Sequence, residues 1–355
     1  MKQTVQTAVV GVTGYAGAEL ARLLLHHPRL KGTPPVFAGR LDEKDAARGG
    51  LPLSEIHPQL ADNNGSSALK LEQFSWELLA ERGVEVLFLA TPHEQSREWV
   101  PEALAHGMRV IDLSGAWRLT EAANRAVYAF KDDGTEQAAA TQAQAVYGMP
   151  ELHRAQIASA RLVANPGCYS TSVILPLRPL VSAGLVDLSC GIVADSKSGV
   201  SGAGKAPTAK THYMYAADNL SAYGVFTHRH TGELLEQIGI RAGEIVFTPH
   251  LLPIPRGILS TIYVRFNEPQ TRASIARVYH DFFAGSPMVR LYDNALPQIQ
   301  YSVRTSYADI GFQLAADGRR AVIVSCLDNL LKGASGQAVQ NLNIMHGWGE
   351  AEGLE

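Results

Sequence analysis

The chain has 355 residues, enough for two domains; 46% of them are hydrophobic and 18% are charged, as in an ordinary globular protein. The formal net charge at pH 7 is −3, which argues against a protein built mainly to hold nucleic acid or an anionic membrane. No segment approaches the roughly 18 consecutive apolar residues of a membrane-spanning helix, and the first residues lead into a strand without a signal-peptide core. The three cysteines form no C-x-x-C pair and are odd in number, so we expect no disulfide framework and a cytoplasmic location.

The segment TAVVGVTGYAGAELARLLLHHP predicts a buried strand, a glycine turn and a helix that Pro28 ends. In a dinucleotide-binding unit, such glycines allow a tight turn, a close approach to pyrophosphate, and packing of the helix on the strand. The G-x-x-G-x-x-G spacing is a weak signal alone, so a purely structural turn remains the alternative. The candidate dinucleotide contacts in this turn are Gly11, Thr13, Gly14, Tyr15, Ala16 and Gly17.

The end of the second strand indicates which dinucleotide is bound. The segment PPVFAG predicts a strand that ends at Gly39, and an NAD site often places an acidic residue next. Arg40 stands there instead, and a cation suits the 2′-phosphate of NADP, although a solvated surface arginine fits equally well. NADPH/NADP+ is therefore the expected cofactor.

Continued alternation of strands and helices predicts a parallel sheet. Two buried strands end at Thr91 and near Asp112, with a helix between them. Because ligands lie beyond the carboxyl ends of such strands, Thr91, Pro92 and Ser114 are candidate cofactor contacts. Arg118 is a candidate anchor for an anionic group, with a salt-bridged loop arginine as the alternative.

A cysteine follows the short predicted strand RLVA. Asn165 is a strong N-cap and Pro166 suits the first helical position, so Cys168 is expected in the first helical turn. Unpaired backbone N–H groups and the positive helix end lower a thiol's pKa there, which predicts Cys168 as a nucleophile. A buried inert cysteine is the alternative. Pro176 and Pro179 imply a kink or an early end of this helix.

A thiol nucleophile needs a proton partner, most often histidine. His228 and His230 stand just before a helix expected to start near Thr231, and alternation is expected to put both rings on one side of a strand. No third residue with convincing ligand spacing accompanies them, so no metal site is predicted. Cys190 and Cys326 lie within apolar runs and are expected in the core.

Three further segments carry polar candidates. Residues 197–205, KSGVSGAGK, read as a glycine–serine loop that can bind an anion through backbone N–H groups and Lys205, with a plain surface turn as the alternative. A later strand is preceded by prolines and Arg256. The end of the chain predicts a strand, a polar turn with Asn329 and a long helix.

Together these segments resemble the N-acetyl-γ-glutamyl-phosphate reductase family. The segments that carry the resemblance run in order along almost the whole chain: GVTGYAGAEL, IDLSGAWRL, VYGMPELHR, ANPGCYST, SKSGVSGAGK, HRHTGEL, TPHLLPIPRGI and DNLLKGASGQAVQN. Aspartate-semialdehyde dehydrogenases share this architecture, but HRH followed by TPHLLPIPRGI favours the first family. Trp117, where phenylalanine is common, and Pro255 before Arg256 are mild departures.

The resemblance implies an α/β protein with two domains. The first is a Rossmann-type doubly wound parallel sheet that binds NADP, over residues 1–150 completed by 328–355. The second is an α+β catalytic and oligomerisation domain over residues 151–327. The C-terminal helix returns to the first domain, and the protein assembles as a homotetramer or homodimer.

The resemblance also implies NADPH-dependent reduction of a small acyl phosphate to a semialdehyde in arginine biosynthesis, with phosphate release after Cys168 attacks the acyl carbon. His230 is the implied acid/base and His228 a substrate contact, although the pattern alone does not rank them. An aspartate-semialdehyde dehydrogenase and a non-catalytic NADP-binding regulator are the alternatives. The remaining candidates are Gly199 and Asn329 for the cofactor, and Arg118, Asn165, Ser201, Lys205 and Arg256 for the substrate. The segment 40–75 is left unassigned.

Overall fold

Two structural units divide the chain in the computed structural model, which describes residues 5–60 and 69–355. The first unit comprises the chain up to Arg118, Lys131–Asn165 and Ser335–Glu355. The second comprises Leu119–Phe130 and Pro166–Ala334. Within the described ranges, no helix combines the length and apolar character needed to cross a bilayer.

The first unit is built on a sheet that, over the described residues, has eight strands. These are β1 (Thr7–Val10), β2 (Val36–Gly39), β3 (Leu51–Pro52), β4 (Lys70–Gln73), β5 (Val86–Leu89), β6 (Arg109–Asp112), β7 (Ala145–Tyr147) and β8 (Leu162–Ala164). Their order is β3-β4-β2-β1-β5-β6-β8-β7, and every pairing is parallel except β3 with β4. β1 and β5 are buried at every position, because helices cover both faces of such a sheet. β8 pairs with β6 and β7, so this unit continues to Asn165 rather than ending at residue 150.

The helices of the first unit follow the strands as the alternating pattern predicts. They are α1 (Tyr15–His26), α2 (Glu43–Ala47), α3 (Leu53–Ile56), α4 (Trp76–Glu81), α5 (His93–Ala105), α7 (Glu136–Gln142), α8 (Pro150–Ser159) and α14 (Gly336–His346). The C-terminal helix α14 contacts α1 and α8, which confirms its predicted return to the first domain. The unassigned segment 40–75 contains α2, β3, α3 and β4, and its residues 61–68 lie outside the described residues.

The second unit holds a mixed sheet, in its described residues of seven strands. These are β9 (Ile192–Gly199), β10 (Ser221–Ala222), β11 (Ile245–Leu252), β12 (Ile258–Arg265), β13 (Val289–Tyr292), β14 (Ala308–Leu314) and β15 (Arg320–Leu327), in the order β10-β11-β9-β12-β15-β14-β13. The helices are α6 (Ala122–Arg125), α9 (Cys168–Ser182), α10 (Tyr213–Ala216), α11 (Thr231–Ile238), α12 (Arg272–Phe282) and α13 (Ile299–Ser302). Burial alternates along β9 and β11, because α9 packs on one face of the sheet.

Helix α9 begins at Cys168 with Gly167 as its N-cap, so the thiol lies in the first turn as predicted. The expected N-cap and first helical residue, Asn165 and Pro166, are wrong, since both precede the helix. Asn165 is fully buried, and its Oδ1 instead accepts a hydrogen bond from Asn341 Nδ2 at 3.1 Å. A contact remote in sequence therefore overrides the local capping preference.

An early end of α9 is also a wrong expectation. The helix continues through Pro176 and Pro179 to Ser182. Val173, Leu177 and the other apolar side chains of its inner face are fully buried. Burial of this length of apolar surface outweighs the backbone hydrogen bonds that the two prolines cannot donate.

Three further local expectations change. Cys190 is exposed, in a short turn before β9, and its thiol donates to Asp187 Oδ2 at 3.1 Å, whereas Cys326 is fully buried as predicted. His228 and His230 lie in a turn after β10 and not on a strand, although the following helix does start at Thr231. The segment 197–205 is only partly a loop, because its first residues complete β9.

Candidate active site

The glycine turn between β1 and α1 has the backbone geometry that a bound phosphate requires. Gly11 has a φ of +94°, and a Cβ there would lie 2.3 Å from the Ala90 carbonyl oxygen. A Cβ on Gly17 would lie 2.1 Å from the Gly11 carbonyl oxygen, so only glycine lets α1 pack against the turn. Gly14 is the N-cap residue of α1, and no side chain caps this helix end. A Cβ on Gly14 would lie 3.6 Å from the Gly11 carbonyl oxygen, which is an ordinary contact. The backbone N–H groups of this helix end are therefore accessible to an anion.

Two hydrogen bonds hold this turn from elsewhere in the first unit. His57 Nε2 donates to the Val12 carbonyl oxygen at 2.7 Å, and Ser335 Oγ donates to the Ala16 carbonyl oxygen at 2.7 Å. Sequence analysis missed both supports. His57 lies in the unassigned segment, where no periodic pattern pointed to it, and Ser335 belongs to a motif that carried the family resemblance.

The other cofactor candidates of the first unit follow neighbouring parallel strands. Arg40 is exposed directly after β2, Thr91 follows β5, and Pro92 is the N-cap of α5. The parallel pairing of β2, β1, β5 and β6 puts these positions at one sheet edge, where ligands of such sheets bind. Ser114 is buried after β6, and its hydroxyl donates to Asp112 Oδ2 at 2.7 Å, so this side chain holds the loop.

Arg118 and Asn165, two substrate candidates, are joined in the first unit. The guanidinium of Arg118 is buried; its Nε donates to the Asn165 carbonyl oxygen at 2.7 Å and its Nη2 to the Leu113 carbonyl oxygen at 2.8 Å. Backbone carbonyls thus fix the plane of this cation.

In the second unit, Cys168 lines a cavity of about 680 Å³ together with His228 and His230. The thiol residue is half-buried at the start of α9. A Cβ on Gly333 would lie 2.8 Å from Cys168 Cβ, so a glycine there lets the turn after β15 pass close to the thiol residue. The structure therefore brings the predicted nucleophile and both predicted histidines to one cavity.

The two histidine rings are in contact, with centroids 4.7 Å apart. A Cβ on Gly167 would lie 2.4 Å from His230 Nε2, so the His230 ring packs directly against the residue that precedes the thiol. His230 is buried, with 6% of its surface exposed. Its position suits proton exchange with groups that react at Cys168.

Glu233 is a site residue that sequence analysis missed. Its side chain is fully buried, its Oε2 accepts the Gly167 N–H at 3.0 Å, and its Oε1 lies 3.9 Å from His230 Nε2. One carboxylate thus contacts both the cap of α9 and the imidazole. The signal was present in HRHTGEL, because residues three apart share a helix face.

His228 is held as a neutral ring. Burial, and secondarily the charge of Arg229, lowers the pKa of His228 to about 4. The ring packs edge-on against Tyr169 and Tyr223, and its Nδ1 accepts the backbone N–H of His230 at 3.2 Å. The proton of the neutral ring is therefore on Nε2.

The remaining candidates of the second unit form a polar network beside β12. Arg256 pairs with the buried Asp328 at 3.0 Å. Asn329 accepts the Gly257 N–H at 2.7 Å and donates to Ser201 Oγ at 2.9 Å. Gly199 lines the cavity that contains the thiol. The other four candidates of this group do not line it, namely Ser201, Lys205, Arg256 and Asn329.

Two family models match the chain, one in each half. The model described as semialdehyde dehydrogenase, NAD binding domain, matches residues 6–160, and the model described as semialdehyde dehydrogenase, dimerisation domain, matches residues 168–329. Together they confirm the predicted fold class.

Solved structures of aspartate semialdehyde dehydrogenases share this fold. Enzyme II from Vibrio cholerae has a TM-score of 0.68 and 17% identity, with 97% of this chain and 99% of that chain covered. The enzyme from Candida albicans, solved with NADP, has a TM-score of 0.67 and 15% identity, with coverage of 97% and 99%. At these identities the similarity concerns the fold alone.

Full-length relatives are much more similar in sequence. A protein from Desulfotalea psychrophila named N-acetyl-gamma-glutamyl-phosphate reductase is 41% identical, over 99% of this chain and 98% of its own. A protein of the same name from Methanocaldococcus jannaschii is 39% identical, over 98% of this chain and 97% of its own. The chain therefore belongs to the N-acetyl-gamma-glutamyl-phosphate reductase family.

Proposed function

We propose that this protein reduces N-acetyl-γ-glutamyl phosphate to N-acetylglutamate semialdehyde and phosphate, with NADPH as reductant, in arginine biosynthesis. The observation that carries the proposal is Cys168, which opens α9 and lines a cavity with the buried imidazole of His230. The names of its full-length relatives support this substrate.

NADPH fits the residues of the first unit. The start of α1 is left accessible by Gly11, Gly14 and Gly17. The first turn, residues 15–18, contains no acidic side chain that would repel a phosphate. Thr13, Tyr15 and Ala16 complete the proposed pyrophosphate turn, and Arg40 is the proposed partner of the 2′-phosphate.

Acyl transfer to the thiol is the first step of the proposed mechanism. The first turn of a helix favours the thiolate form of Cys168, because unpaired N–H groups and the helix dipole stabilise the negative charge. The thiolate forms a C–S bond with the acyl carbon, the C–O bond to phosphate breaks, and a thioester remains on Cys168. Backbone N–H groups at the start of α9 stabilise the oxyanion of the tetrahedral intermediate.

Reduction and release form the second step. When bound, NADPH would supply a hydride to the carbonyl carbon of the thioester on Cys168. His230 donates a proton to the developing oxygen and takes it back as the C–S bond breaks, which frees the aldehyde and regenerates the thiolate. His228 is neutral in its aromatic surroundings. It therefore offers the substrate a hydrogen-bond donor at Nε2 but no positive charge.

We propose a homodimer or homotetramer in the cytoplasm. The match to a dimerisation domain supports self-association. The proposed nucleophile must stay reduced, which a reducing compartment ensures.

A coupled assay in the reverse direction tests the function. Wild-type protein with N-acetylglutamate semialdehyde, phosphate and NADP should reduce the nicotinamide, and omission of phosphate should stop the reaction.

Cys168→Ser should abolish this turnover, because a serine hydroxyl is far less ionised at neutral pH than a cysteine thiol. NADPH affinity, measured by fluorescence, should stay nearly unchanged.

The same assay separates the rivals. Faster turnover of aspartate semialdehyde would indicate an aspartate-semialdehyde dehydrogenase. Nucleotide binding without turnover, indifferent to Cys168→Ser, would indicate a regulator.

A further inference from the structure

The cavity that contains Cys168 has the chemistry of an anion site. Among the described residues that line it there is no carboxylate, while Lys210 and Arg229 are cations. The lining also includes the hydroxyl groups of Ser198, Thr208, Thr211, Ser221, Tyr215 and Tyr223. A cavity lined this way attracts anions and rejects cations.

The two cations differ from two other cations of the second unit, Arg256 and Lys197. Arg256 is neutralised by the buried Asp328, and Lys197 pairs with Asp195 at 2.8 Å. Neither Lys210 nor Arg229 forms an ion pair or a side-chain hydrogen bond with any residue of the described ranges. Their charges are therefore available to a ligand in this cavity.

Arg229 acts directly on the site. Its positive charge is one cause of the lowered pKa of His228, after burial, so the guanidinium is close enough to affect that ring. Because His228 is neutral near pH 7, the positive charge at this wall of the cavity comes from Arg229. Lys210 adds a second charge from a separate segment, the turn Ala209–Thr211.

The substrate of the proposed function carries two separate anions, an α-carboxylate and an acyl phosphate. We propose that Arg229 and Lys210 are its anion anchors, one for each group, so that the acyl carbon is held between them at Cys168. The inference rests on the proposed function for the identity of the anions.

Thiol alkylation tests the charge of the cavity without any turnover. Iodoacetate is anionic and iodoacetamide is neutral, so the ratio of their rates at one thiol reports the local charge. In the wild type this ratio should be higher at Cys168 than at Cys190, whose thiol bonds to the Asp187 carboxylate. Arg229→Met and Lys210→Met should each lower the Cys168 ratio, on the order of threefold or more, with Cys190 unchanged in the same sample.

Two matched variants complete the alkylation experiment. Arg229→Lys keeps the charge and should keep the ratio. Arg277→Met removes an exposed arginine of α12 that does not line the cavity, and should leave the ratio unchanged. Equal ratios at the two cysteines, or a Cys168 ratio that neither variant lowers, would overturn the anion site.

Reverse kinetics then assign the two anchors. One of Arg229→Met and Lys210→Met should raise KM for inorganic phosphate about tenfold or more, and the other should raise KM for the semialdehyde similarly. The pairing of one anchor with one anion is refuted if both variants affect the same reactant or if neither KM changes. If the wild-type protein does not turn over the semialdehyde at all, the proposed function is refuted. The alkylation experiment does not depend on turnover, so its result still tests the anion site.

Discussion

Glu233 is a fully buried carboxylate of the candidate site. A fully buried carboxylate is costly unless hydrogen bonds and nearby positive charge compensate for the lost hydration. Glu233 receives the Gly167 N–H and faces His230, so it connects the residue before the thiol to the proposed acid/base. We interpret Glu233 as a positioning residue that orients the imidazole.

Glu233→Gln should keep the acceptor for the Gly167 N–H and lose the charge that faces His230. We expect kcat to fall roughly 10- to 100-fold with NADPH affinity unchanged, against a loss of about 10²- to 10⁴-fold for His230→Asn. Steady-state kinetics and nucleotide titration measure both effects. Glu236→Gln is the matched control on α11, because among the described residues Glu236 accepts its hydrogen bonds from the segment around Thr120 and Asn124. Equal losses of kcat in Glu233→Gln and Glu236→Gln would show that Glu233 has a merely structural role.

His228 makes stability depend on pH. The unfolded chain protonates this histidine below about pH 6.5, whereas burial and Arg229 hold its pKa at about 4 in the folded chain. The unfolded state therefore binds more protons between these values, and the folded state loses stability as the pH falls from 6.5 to 4. His228→Gln should flatten this part of the curve of unfolding free energy against pH, measured by urea denaturation. Identical slopes in the two proteins would contradict the assignment.

At the scale of elements, α9 shows what sequence could and could not supply. The prediction of a cysteine in the first turn followed from the asparagine and proline before it, and this placement is confirmed. The cap itself was wrong because Asn165 bonds to Asn341, a partner that local preferences cannot reveal. The two internal prolines misled for a similar reason, since burial on the sheet decides where the helix ends.

The strands also divide into those that the sequence predicts correctly and one that it does not. Continuous apolar runs predicted β1, β2, β5 and β6, because buried parallel strands need them on both faces. The turn at 228–230 was mistaken for a strand, since alternation over three residues fits either structure. The cluster of Cys168, His228 and His230 could be predicted by resemblance, and Glu233 from its spacing to His230, but Lys210 and Arg229 emerged only once folding had defined the cavity.

Gly167→Ala tests the close packing at the start of α9. The added methyl group would lie 2.4 Å from His230 Nε2, so either the helix start or the ring must move. We expect kcat to fall at least about tenfold, because small misplacement of catalytic groups is costly, with a modest loss in Tm. Gly243→Ala is the control, since its Cβ meets open space among the described residues. Unchanged kcat in Gly167→Ala would contradict the packing argument.

At the scale of the whole molecule, the sheet of the second unit carries a row of exposed apolar side chains. Val193 pairs in register with Val246 on β11 and with Tyr263 on β12, and all three are about 40% exposed. The opposite face is covered by α9. Because this unit matches a dimerisation domain, we propose the row as a self-association face.

Val193→Asp should dissociate the assembly, because a carboxylate in the middle of the row would be buried without a partner. Sedimentation velocity at micromolar protein should show a smaller species than the wild type. Leu296→Asp, at another exposed apolar side chain of the second unit, should leave the mass unchanged. A wild-type mass retained by Val193→Asp would locate the interface elsewhere.

The first unit is assembled from both ends of the polypeptide. Asn341 donates to the Gly148 carbonyl oxygen at 2.8 Å, Gln340 donates to Glu151 Oε1 at 3.1 Å, and Ser335 holds Ala16. Because residues 335–341 follow the whole second unit in the chain, these hydrogen bonds of the first unit form only after the residues of the second unit have been synthesised.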